Sequence, residues 1–381
     1  MTAVPVSAFL YPWDVIGDPA APERVRGLGA GSVTLAAAYH ATTAVTPRHP
    51  SHRIVRAEHS AVYYRPDPER WFGLELRPAR QRWCGAEDAF DEAAAQLAHA
   101  GLDVRAWVVL AHNSRLATAF PGCAVRNAYG DTYGWALCIA NPRVRRYAAE
   151  LAAEAAARPG VSGIDIESCG WYGYAHLHAH DKTGGVPFRD AGQYLMSLCF
   201  CDHCRQGYRE VGLEPDRLAE TVRNALEPIW RGAGGDGDDW DAVRELLGAD
   251  VAEATLRFRS SAALRLQRET VAAVRQATEP GFTIRLHADP LPYRTGANVG
   301  VDATTVDFVD GLVVPPEAVV AAAKSTARVI ANVRILSATE VADTIDAALA
   351  AGARELSLYH AGLASDQDLG RMRRVLRSLM P

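Results

Sequence analysis

Eight short apolar runs, each followed by a stretch with helical character, constrain the fold of this chain more than any other feature. Runs that stay apolar almost throughout are typical of parallel strands buried on both faces. Their alternation with helical segments favours a parallel sheet whose strands are joined by helical crossovers. The predicted strands cover residues 6–15, 32–40, 103–113, 161–169, 283–289, 308–314, 328–335 and 355–360.

Three of the segments between these strands have recognisable helix boundaries. The predicted helices cover residues 87–100, 142–158 and 339–351. The first stops at Gly101 and the last at Gly352, and glycine is the preferred residue just past a helix end. Ser337 is the predicted N-cap of the last helix.

Eight strand–helix units predict an α/β fold, a (β/α)8 TIM barrel, formed as a single domain by residues 1–381. The alternative is an open doubly wound sheet. Such a sheet usually carries a glycine-rich phosphate-binding turn after its first strand. Here that turn reads Tyr11-Pro12-Trp13-Asp14, which lacks the G-x-G-x-x-G pattern and favours the barrel.

Two long connections interrupt the alternation. Residues 41–85 follow the second strand and are rich in aromatic side chains, whereas residues 170–281 separate the fourth and fifth strands and must contain several helices. Both leave from the C-terminal ends of strands, where barrel enzymes carry their active sites. We therefore predict an active-site insertion at 41–85 and a helical insertion at 170–281.

Composition excludes several functional classes. A net charge of −5 gives no electrostatic basis for binding nucleic acid. No stretch approaches the ~18 consecutive apolar residues that a membrane span requires, and the first residues lack the pattern of a secretion signal. We expect a cytoplasmic protein with no membrane partner, in which a reducing environment leaves the seven cysteines as thiols or metal ligands. The sequence leaves open whether the protein forms a homo-oligomer.

The end of the fourth strand, Gly163-Ile164-Asp165-Ile166-Glu167, carries the strongest catalytic signal. The two-residue period of a strand places Asp165 and Glu167 on one face, which in a barrel can point into the lumen. Repulsion between two such anions raises the pKa of one of them, as a glycosidase acid requires. Alternatively, Asp165 bonds an arginine or a backbone amide, and Glu167 caps a neighbouring helix.

Other strand ends are also polar, and imidazoles, carboxylates and aromatic faces together suit a polyhydroxylated ligand. The residues predicted to contact substrate are Trp13, Asp14, His40, His112, Asn113, Trp171, His176, His178, His287, Tyr359 and His360, and Asp289 is a further catalytic candidate. His176, His178 and His180 form an H-x-H-x-H run that could instead bind a metal. Any single histidine could also have only a structural role.

A second cluster, Cys199, Cys201 and Cys204, reads C-x-C-x-x-C. Three thiolates this close suit tetrahedral Zn²⁺ in a structural site, which needs one more ligand. The candidates for that ligand are Cys138, Cys123, Cys169 and His203. Unliganded thiols packed in a helix are the alternative, and no organic cofactor is expected.

These motifs resemble barrel glycoside hydrolases, which carry a catalytic glutamate at the end of strand four, and in particular the family 42 β-galactosidases. That family has a structural zinc bound by a cysteine after strand three and a C-x-C-x-x-C after strand four. The resemblance implies that Cys138 completes the site. Two positions differ, since Ile166 replaces the family's asparagine and strand seven, 328–335, contains no carboxylate. The D-x-E ending also resembles family 18 chitinase-like enzymes.

Three functional hypotheses follow. The first is a glycoside hydrolase in which Glu167 is the general acid, Asp165 tunes it, and Asp289 or Asp14 is the base or nucleophile. The second is a sugar lyase or isomerase that uses the histidines as bases, with a metal held by His176, His178 or His287. The third is a carbohydrate-binding barrel without catalytic activity.

Overall fold

Eight parallel strands form a closed barrel in the computed structural model, which describes residues 4–175, 181–186, 188–232, 237–304, 306–337 and 339–379. Each strand pairs with the next along the chain, and the last pairs with the first. The predicted (β/α)8 TIM barrel is therefore confirmed. The strands are β1 (Val6–Leu10), β2 (Ser32–Tyr39), β3 (Asp103–Val109), β4 (Val161–Glu167), β5 (Thr283–Asp289), β6 (Gly311–Val314), β7 (Arg328–Arg334) and β8 (Glu355–Tyr359).

Helices surround the barrel, and the longest of them serves two purposes. The helices are α1 (Ala21–Arg26), α2 (Ala89–His99), α3 (Ser114–Ala119), α4 (Pro142–Ala156), α5 (Asp190–Met196), α6 (Asp202–Glu210), α7 (Pro215–Trp230), α8 (Trp240–Leu247), α9 (Ala249–Ala277), α10 (Val319–Ala322), α11 (Val341–Ala350) and α12 (Asp366–Ser378). Helix α9 packs along α4 and leads directly into β5. It is therefore both part of the insertion after β4 and the crossover helix of the barrel.

Shorter elements lie at the C-terminal rim of the barrel. Antiparallel hairpins pair Thr42–Val45 with Ile54–Ala57 and Ala124–Arg126 with Thr132–Leu137, while Ala61–Val62 pairs with β2 and Val299–Gly300 with β5. Single 3-10 turns cover Pro12–Asp14, Pro121–Cys123, Pro316–Ala318 and Ala361–Leu363. The described residues between β5 and β6 contain no helix.

The element boundaries differ from the predictions where a special residue intervenes. β1 ends at Leu10 rather than at residue 15, because Pro12 starts a 3-10 turn and cannot donate to a strand ladder. Helices α2 and α11 stop just before Gly101 (φ 78°) and Gly352 (φ 111°), as predicted. The N-cap prediction for Ser337 is wrong, because α11 begins after Glu340.

Polar side chains occupy the N-terminal half of the barrel interior. Arg105 of β3 binds Asp165 of β4, and Arg285 of β5 donates two hydrogen bonds, of 2.7 and 2.8 Å, to Glu355 of β8. Arg105, Arg285 and Glu355 also line a cavity at the N-terminal end of the barrel. Barrel enzymes bind substrate at the opposite end, beyond the C-terminal ends of the strands.

We predict that Gly207→Ala lowers the free energy of unfolding by about 1–3 kcal/mol, because a Cβ at this position of α6 would overlap the Phe258 ring of α9. Gly370→Ala on α12 is the matched control. An added Cβ there meets only the end of the Arg374 side chain at 3.8 Å, so we expect a gain of about 0.5–1 kcal/mol. Urea denaturation measures both changes, and a stability gain in both variants would contradict the α6–α9 packing.

Candidate active site

Glu167 ends β4 at the upper end of the barrel interior and is 4% exposed. Its Oε2 accepts a 2.8 Å hydrogen bond from Nε1 of Trp107, a fully buried residue of the adjacent strand β3. Burial raises the pKa of Glu167 to about 7, although the Trp107 hydrogen bond acts in the opposite direction. This carboxyl can therefore hold a proton near neutral pH.

Asp165 lies two residues earlier, on the same face of β4, and has a different environment. It accepts hydrogen bonds from Nε of Arg105 at 2.8 Å and from Oγ1 of Thr34 at 3.0 Å. Burial alone would raise the pKa of Asp165, but the charges of Arg105 and Arg285 outweigh burial and lower that pKa. The predicted cause of the raised Glu167 pKa, repulsion by Asp165, is therefore wrong. Asp165 is an ion-paired structural carboxylate.

Four tyrosines, each buried or partly buried, surround Glu167. Burial raises the pKa of each phenol most, and the charge of Glu167 raises it further. They are Tyr11, Tyr39, Tyr172 and Tyr359. Tyr39 forms side-chain hydrogen bonds with both Tyr11 and Tyr359. The Tyr11 hydroxyl lies 3.3 Å from Nδ1 of His360. All four phenols therefore stay protonated at neutral pH, and Tyr359, Tyr39 and Tyr11 form a chain of neutral hydrogen-bonding groups that ends at His360.

The predicted histidines of strands two and three meet in a stack of four rings. His40 and His112 stack with ring centroids 4.2 Å apart, Tyr39 covers the outer face of His40 at 4.1 Å, and Tyr172 covers that of His112 at 4.5 Å. Since Tyr39 and Tyr172 also lie near Glu167, the stack forms one wall of the same site.

Two further predicted histidines line this site. His287 of β5 follows Leu286, which pairs with Ile166 of β4, so its imidazole is level with Glu167 on the neighbouring strand. Its Nε2 is buried without a hydrogen-bond partner, and burial lowers the pKa of His287 to about 4. Burial likewise lowers the pKa of His360 to about 3. Both rings are neutral at physiological pH.

Asp14 and Trp13 lie behind β1 rather than beside Glu167. Asp14 accepts a 2.8 Å hydrogen bond from the Tyr11 backbone, and it lines a small cavity with Arg24 and Arg48. Burial raises the pKa of Asp14 to about 7. Trp13 is 1% exposed and stacks on Tyr11 with ring centroids 4.3 Å apart. Trp13 therefore supports the ring of Tyr11, and Asp14 supports its backbone.

Two other predicted contacts have structural partners. The Asn113 side chain caps α3 by accepting a 3.0 Å hydrogen bond from the backbone of Leu116, and it also donates to the Tyr147 hydroxyl. Trp171 donates to the Arg259 carbonyl at 2.8 Å, and the buried guanidinium of Arg259 lies 5.1 Å from the Trp171 ring centroid. Trp171 thus belongs to the packing of the helical insertion.

Asp289 is the remaining catalytic candidate. It ends β5, and its side chain accepts a 2.9 Å hydrogen bond from the Leu291 backbone and lies 3.8 Å from Nε of Arg294. Burial raises the pKa of this carboxyl. His176 and His178, with His180, lie outside the described residues.

Four residues of the site were not among the predicted contacts: Trp107, Tyr11, Tyr39 and Tyr172. Trp107 lies two residues after Arg105, on the inward face of β3, so the alternation of that strand could have identified it. Tyr11 directly follows β1 and Tyr39 is the last residue of β2, so position could have identified both, whereas Tyr172 lies in the loop after β4. No local pattern distinguishes them from the many other aromatic residues of the chain.

Four cysteine thiols meet between the loop after β3 and helix α6. The Sγ atom of Cys138 lies 3.7, 3.5 and 3.4 Å from those of Cys199, Cys201 and Cys204, and all four sulfurs lie within 4.8 Å of one another. The cluster is buried. Tetrahedral Zn²⁺ with Zn–S bonds of ~2.3 Å requires sulfurs roughly 3.8 Å apart, so this donor set has the size and chemistry to bind a metal.

No protein-family model and no curated protein matches the chain. Among solved structures, it is similar to the PgaB (BpsB) glycoside hydrolase domain from Bordetella bronchiseptica (TM-score 0.57, 14% identity, 98% of this chain and 99% of that chain). It also resembles a GH42 β-galactosidase from G. stearothermophilus (TM-score 0.57, 10% identity, 100% and 57%). A third similar structure is alpha-L-fucosidase isoenzyme 2 from Paenibacillus thiaminolyticus (TM-score 0.56, 12% identity, 100% and 49%).

These similarities show the fold: a barrel of the kind found in glycoside hydrolases. The chain spans about half the length of the fucosidase and 57% of the length of the galactosidase. None of the helices in the described part of the chain combines the length and apolar character that crossing a lipid bilayer requires.

We predict that Glu167→Gln raises the free energy of unfolding above that of the wild type, and that this difference increases with pH. The folded-state pKa of Glu167, about 7, exceeds the unfolded value of ~4.3, so the wild type loses stability as pH rises through this interval. Glutamine carries no charge and avoids that loss. The gain over wild type should increase by about 2 kcal/mol between pH 5 and pH 8, measured by urea denaturation, and a gain independent of pH would contradict the raised pKa.

Proposed function

We propose that the chain is a glycoside hydrolase in which Glu167 is the general acid. The observation that carries this proposal is the carboxyl itself: it is buried at the C-terminal end of β4, and its pKa is raised to about 7. Such a group is partly protonated at neutral pH and can protonate a leaving glycosidic oxygen. The barrels of glycoside hydrolases that this chain resembles support the proposal.

Trp107 determines how Glu167 would present its proton. Its indole N–H occupies Oε2, and no other described residue forms a hydrogen bond with the carboxyl. Since Oε2 already accepts a hydrogen bond, the proton is placed on Oε1. After transfer, the Trp107 N–H stabilises the carboxylate that remains, which can then activate water as a general base.

The surrounding phenols and imidazoles would bind sugar hydroxyls. His287 presents a buried Nε2 that has no protein partner, next to Glu167 on the barrel wall. A neutral imidazole can donate or accept one hydrogen bond at this nitrogen. Leaving such a group unsatisfied in a buried site costs about 1–3 kcal/mol, which a ligand hydroxyl would offset.

Asp289 is the proposed second carboxylate. It is half-buried on the same face of β5 as His287, whereas Asp14 lines the cavity behind β1. Burial raises the pKa of Asp289, and the positive charge of Arg294 acts in the opposite direction, toward the ionised form required of a base or nucleophile.

A sugar lyase or isomerase is the second candidate, favoured by the hydrogen-bonded chain from Tyr359 through Tyr39 and Tyr11 to His360. A neutral imidazole at the end of such a chain could accept a proton from carbon. Incorporation of deuterium from heavy water into recovered sugar, or an unsaturated product, would identify this chemistry. Incorporation of labelled oxygen from water at the anomeric carbon would identify hydrolysis.

We also propose that Cys138, Cys199, Cys201 and Cys204 bind a structural zinc ion. The sulfur spacing fits tetrahedral coordination, and four thiolates complete the coordination shell, which leaves no open position for substrate. The ion would link the loop after β3 to α6, at a distance from the reaction itself.

Glu167 and Glu154 are both buried, and each accepts a hydrogen bond from a tryptophan N–H. Glu167→Gln should lower kcat/KM by about 10²–10⁴-fold, whereas Glu154→Gln is the control. Glu154 on α4 accepts a 2.9 Å hydrogen bond from Nε1 of Trp71, outside the barrel interior. In the wild type, activity should fall as pH rises through about 7. A panel of aryl glycosides measures both effects, and equal activity of the two variants would exclude Glu167 as the acid.

We predict that Cys204→Ser reduces the zinc content of the purified protein from about one ion per chain to a small fraction, with a loss of stability. Cys84→Ser is the control, because Cys84 is also a buried thiol but lies outside the cluster. Elemental mass spectrometry measures the metal. Zinc content unaffected by Cys204→Ser would overturn the proposal, as would a zinc-free wild type from zinc-supplemented cells.

A further inference from the structure

Strand β7 contributes two polar side chains to the mouth of the barrel. Arg334 pairs in register with Tyr359 of β8, and Asn332 pairs with Ser357. Side chains that are paired across adjacent parallel strands point to the same face of the sheet. The ring of Tyr359 packs against Phe9 inside the barrel, with ring centroids 5.2 Å apart. Arg334 and Asn332 therefore lie on the inward face of β7.

A second observation places Arg334 at the candidate active site. Burial lowers the pKa of His360 most, and the nearby basic groups of His40, Arg334 and His287 lower it further. The guanidinium therefore lies close to an imidazole of the site. Arg334 is exposed and Asn332 and His360 are partly exposed, so solvent reaches this side of the mouth.

Arg334 has no counterion in the part of the chain that the structure describes, and its guanidinium forms no hydrogen bond there. β7 itself contains no carboxylate. Beyond β5, Arg294 binds Asp190 and lies 3.8 Å from Asp289, so those charges balance one another. Burial raises the pKa of Asp289 most, and Glu317, beyond β6, adds to that shift. Neither Asp289 nor Glu317 pairs with Arg334, which therefore presents an uncompensated positive charge that attracts anions.

Two buried polar atoms of the same site also lack partners. Oδ1 of Asn332 and Nε2 of His287 are both buried without a hydrogen-bond partner. Such atoms are costly to leave unsatisfied, and a sugar hydroxyl would satisfy each of them. The planar guanidinium of Arg334 instead suits an anionic oxygen group, which it can bind through two parallel N–H···O bonds. The mouth thus combines one group for an anion with two groups for hydroxyls.

We propose that the candidate active site accepts a sugar that carries a carboxylate or a sulfate ester, and that Arg334 binds this anionic group. The inference rests on the proposed function and names the substrate class: an acidic glycoside whose cleaved bond lies at Glu167. Because β7 is three strands from β4 around the barrel, a sugar ring lying across the mouth contacts Glu167 at one edge and Arg334 at the other. Asn332 and His287 bond its hydroxyls.

Binding is measured by titration calorimetry in the Glu167→Gln background, so that the ligand is not consumed. The probes are the α- and β-methyl glycosides of glucose and galactose, the corresponding uronic acids and the corresponding 6-sulfates. At least one acidic probe should bind about tenfold or more tightly than its neutral counterpart, and Arg334→Gln should remove that preference. Whether the uronic acid or the sulfate is preferred identifies the anionic group.

Two further variants separate the charge of Arg334 from its geometry and position. Arg334→Lys keeps the charge but loses the planar pair of donors, so it should retain only part of the preference. Arg354→Gln is the matched control. Arg354 is also exposed and has no ion pair within the described residues, but it directly precedes β8, at the opposite end of the barrel. Its substitution should leave the preference unchanged.

The result separates this proposal from the proposed function. A preference for an acidic probe that depends on Arg334, in a protein that hydrolyses no glycoside, supports the anion site and rejects the hydrolase. Hydrolysis of neutral aryl glycosides, with no acidic probe preferred, overturns the anion site alone. A preference that survives Arg334→Gln, or no binding of any acidic probe, also overturns it. If free acetate or inorganic sulfate binds as tightly as the acidic sugars, Arg334 binds small anions in general and the substrate class is wrong.

Discussion

The ion pair between Arg105 and Asp165 is the interaction on which the upper half of the barrel depends. Arg105 of β3 reaches Asp165 and the Ile164 carbonyl of β4 and Thr283 of β5, while Asp165 also accepts from Thr34 of β2. One guanidinium and one carboxylate therefore connect four consecutive strands. A buried pair of this kind is costly to break from one side, because the remaining charge has no partner. It helps to hold the register in which Trp107 lies opposite Asp165 and reaches Glu167, two residues further along β4.

The same strand thus carries two carboxyl groups with opposite properties. Asp165 is surrounded by cations and donors that keep it ionised, whereas Glu167 has one neutral donor and a buried site that favours its protonated form. Environment rather than mutual repulsion separates their pKa values. Two titratable groups whose surroundings push their pKa values apart are a common arrangement in sites for acid–base chemistry. Here one of the pair stabilises the barrel, which leaves the other free for chemistry.

The limits of sequence reasoning follow from how each residue is positioned. The strands and the four-cysteine cluster could be predicted because apolar runs, spacing and family resemblance are local or shared signals. Asp14 could not be placed, because the 3-10 turn at Pro12 directs it behind β1. Asn113 follows a strand end as a substrate contact would, yet its amide caps a helix. The register pairs Trp107 with Asp165, and only the orientation of its side chain brings its indole to Glu167, two residues further along β4.

The helical insertion is attached to the barrel at two places. Its last helix, α9, is also the crossover helix into β5, and the buried Arg259 of that helix lies between the rings of Trp171 and Tyr194. The cysteine cluster provides a second attachment, from the loop after β3 to α6. Because the insertion shares a helix with the barrel, any displacement of the insertion relative to Glu167 would disturb the packing of α9 on α4. The position of the insertion relative to the C-terminal end of β4 is therefore set by the fold itself.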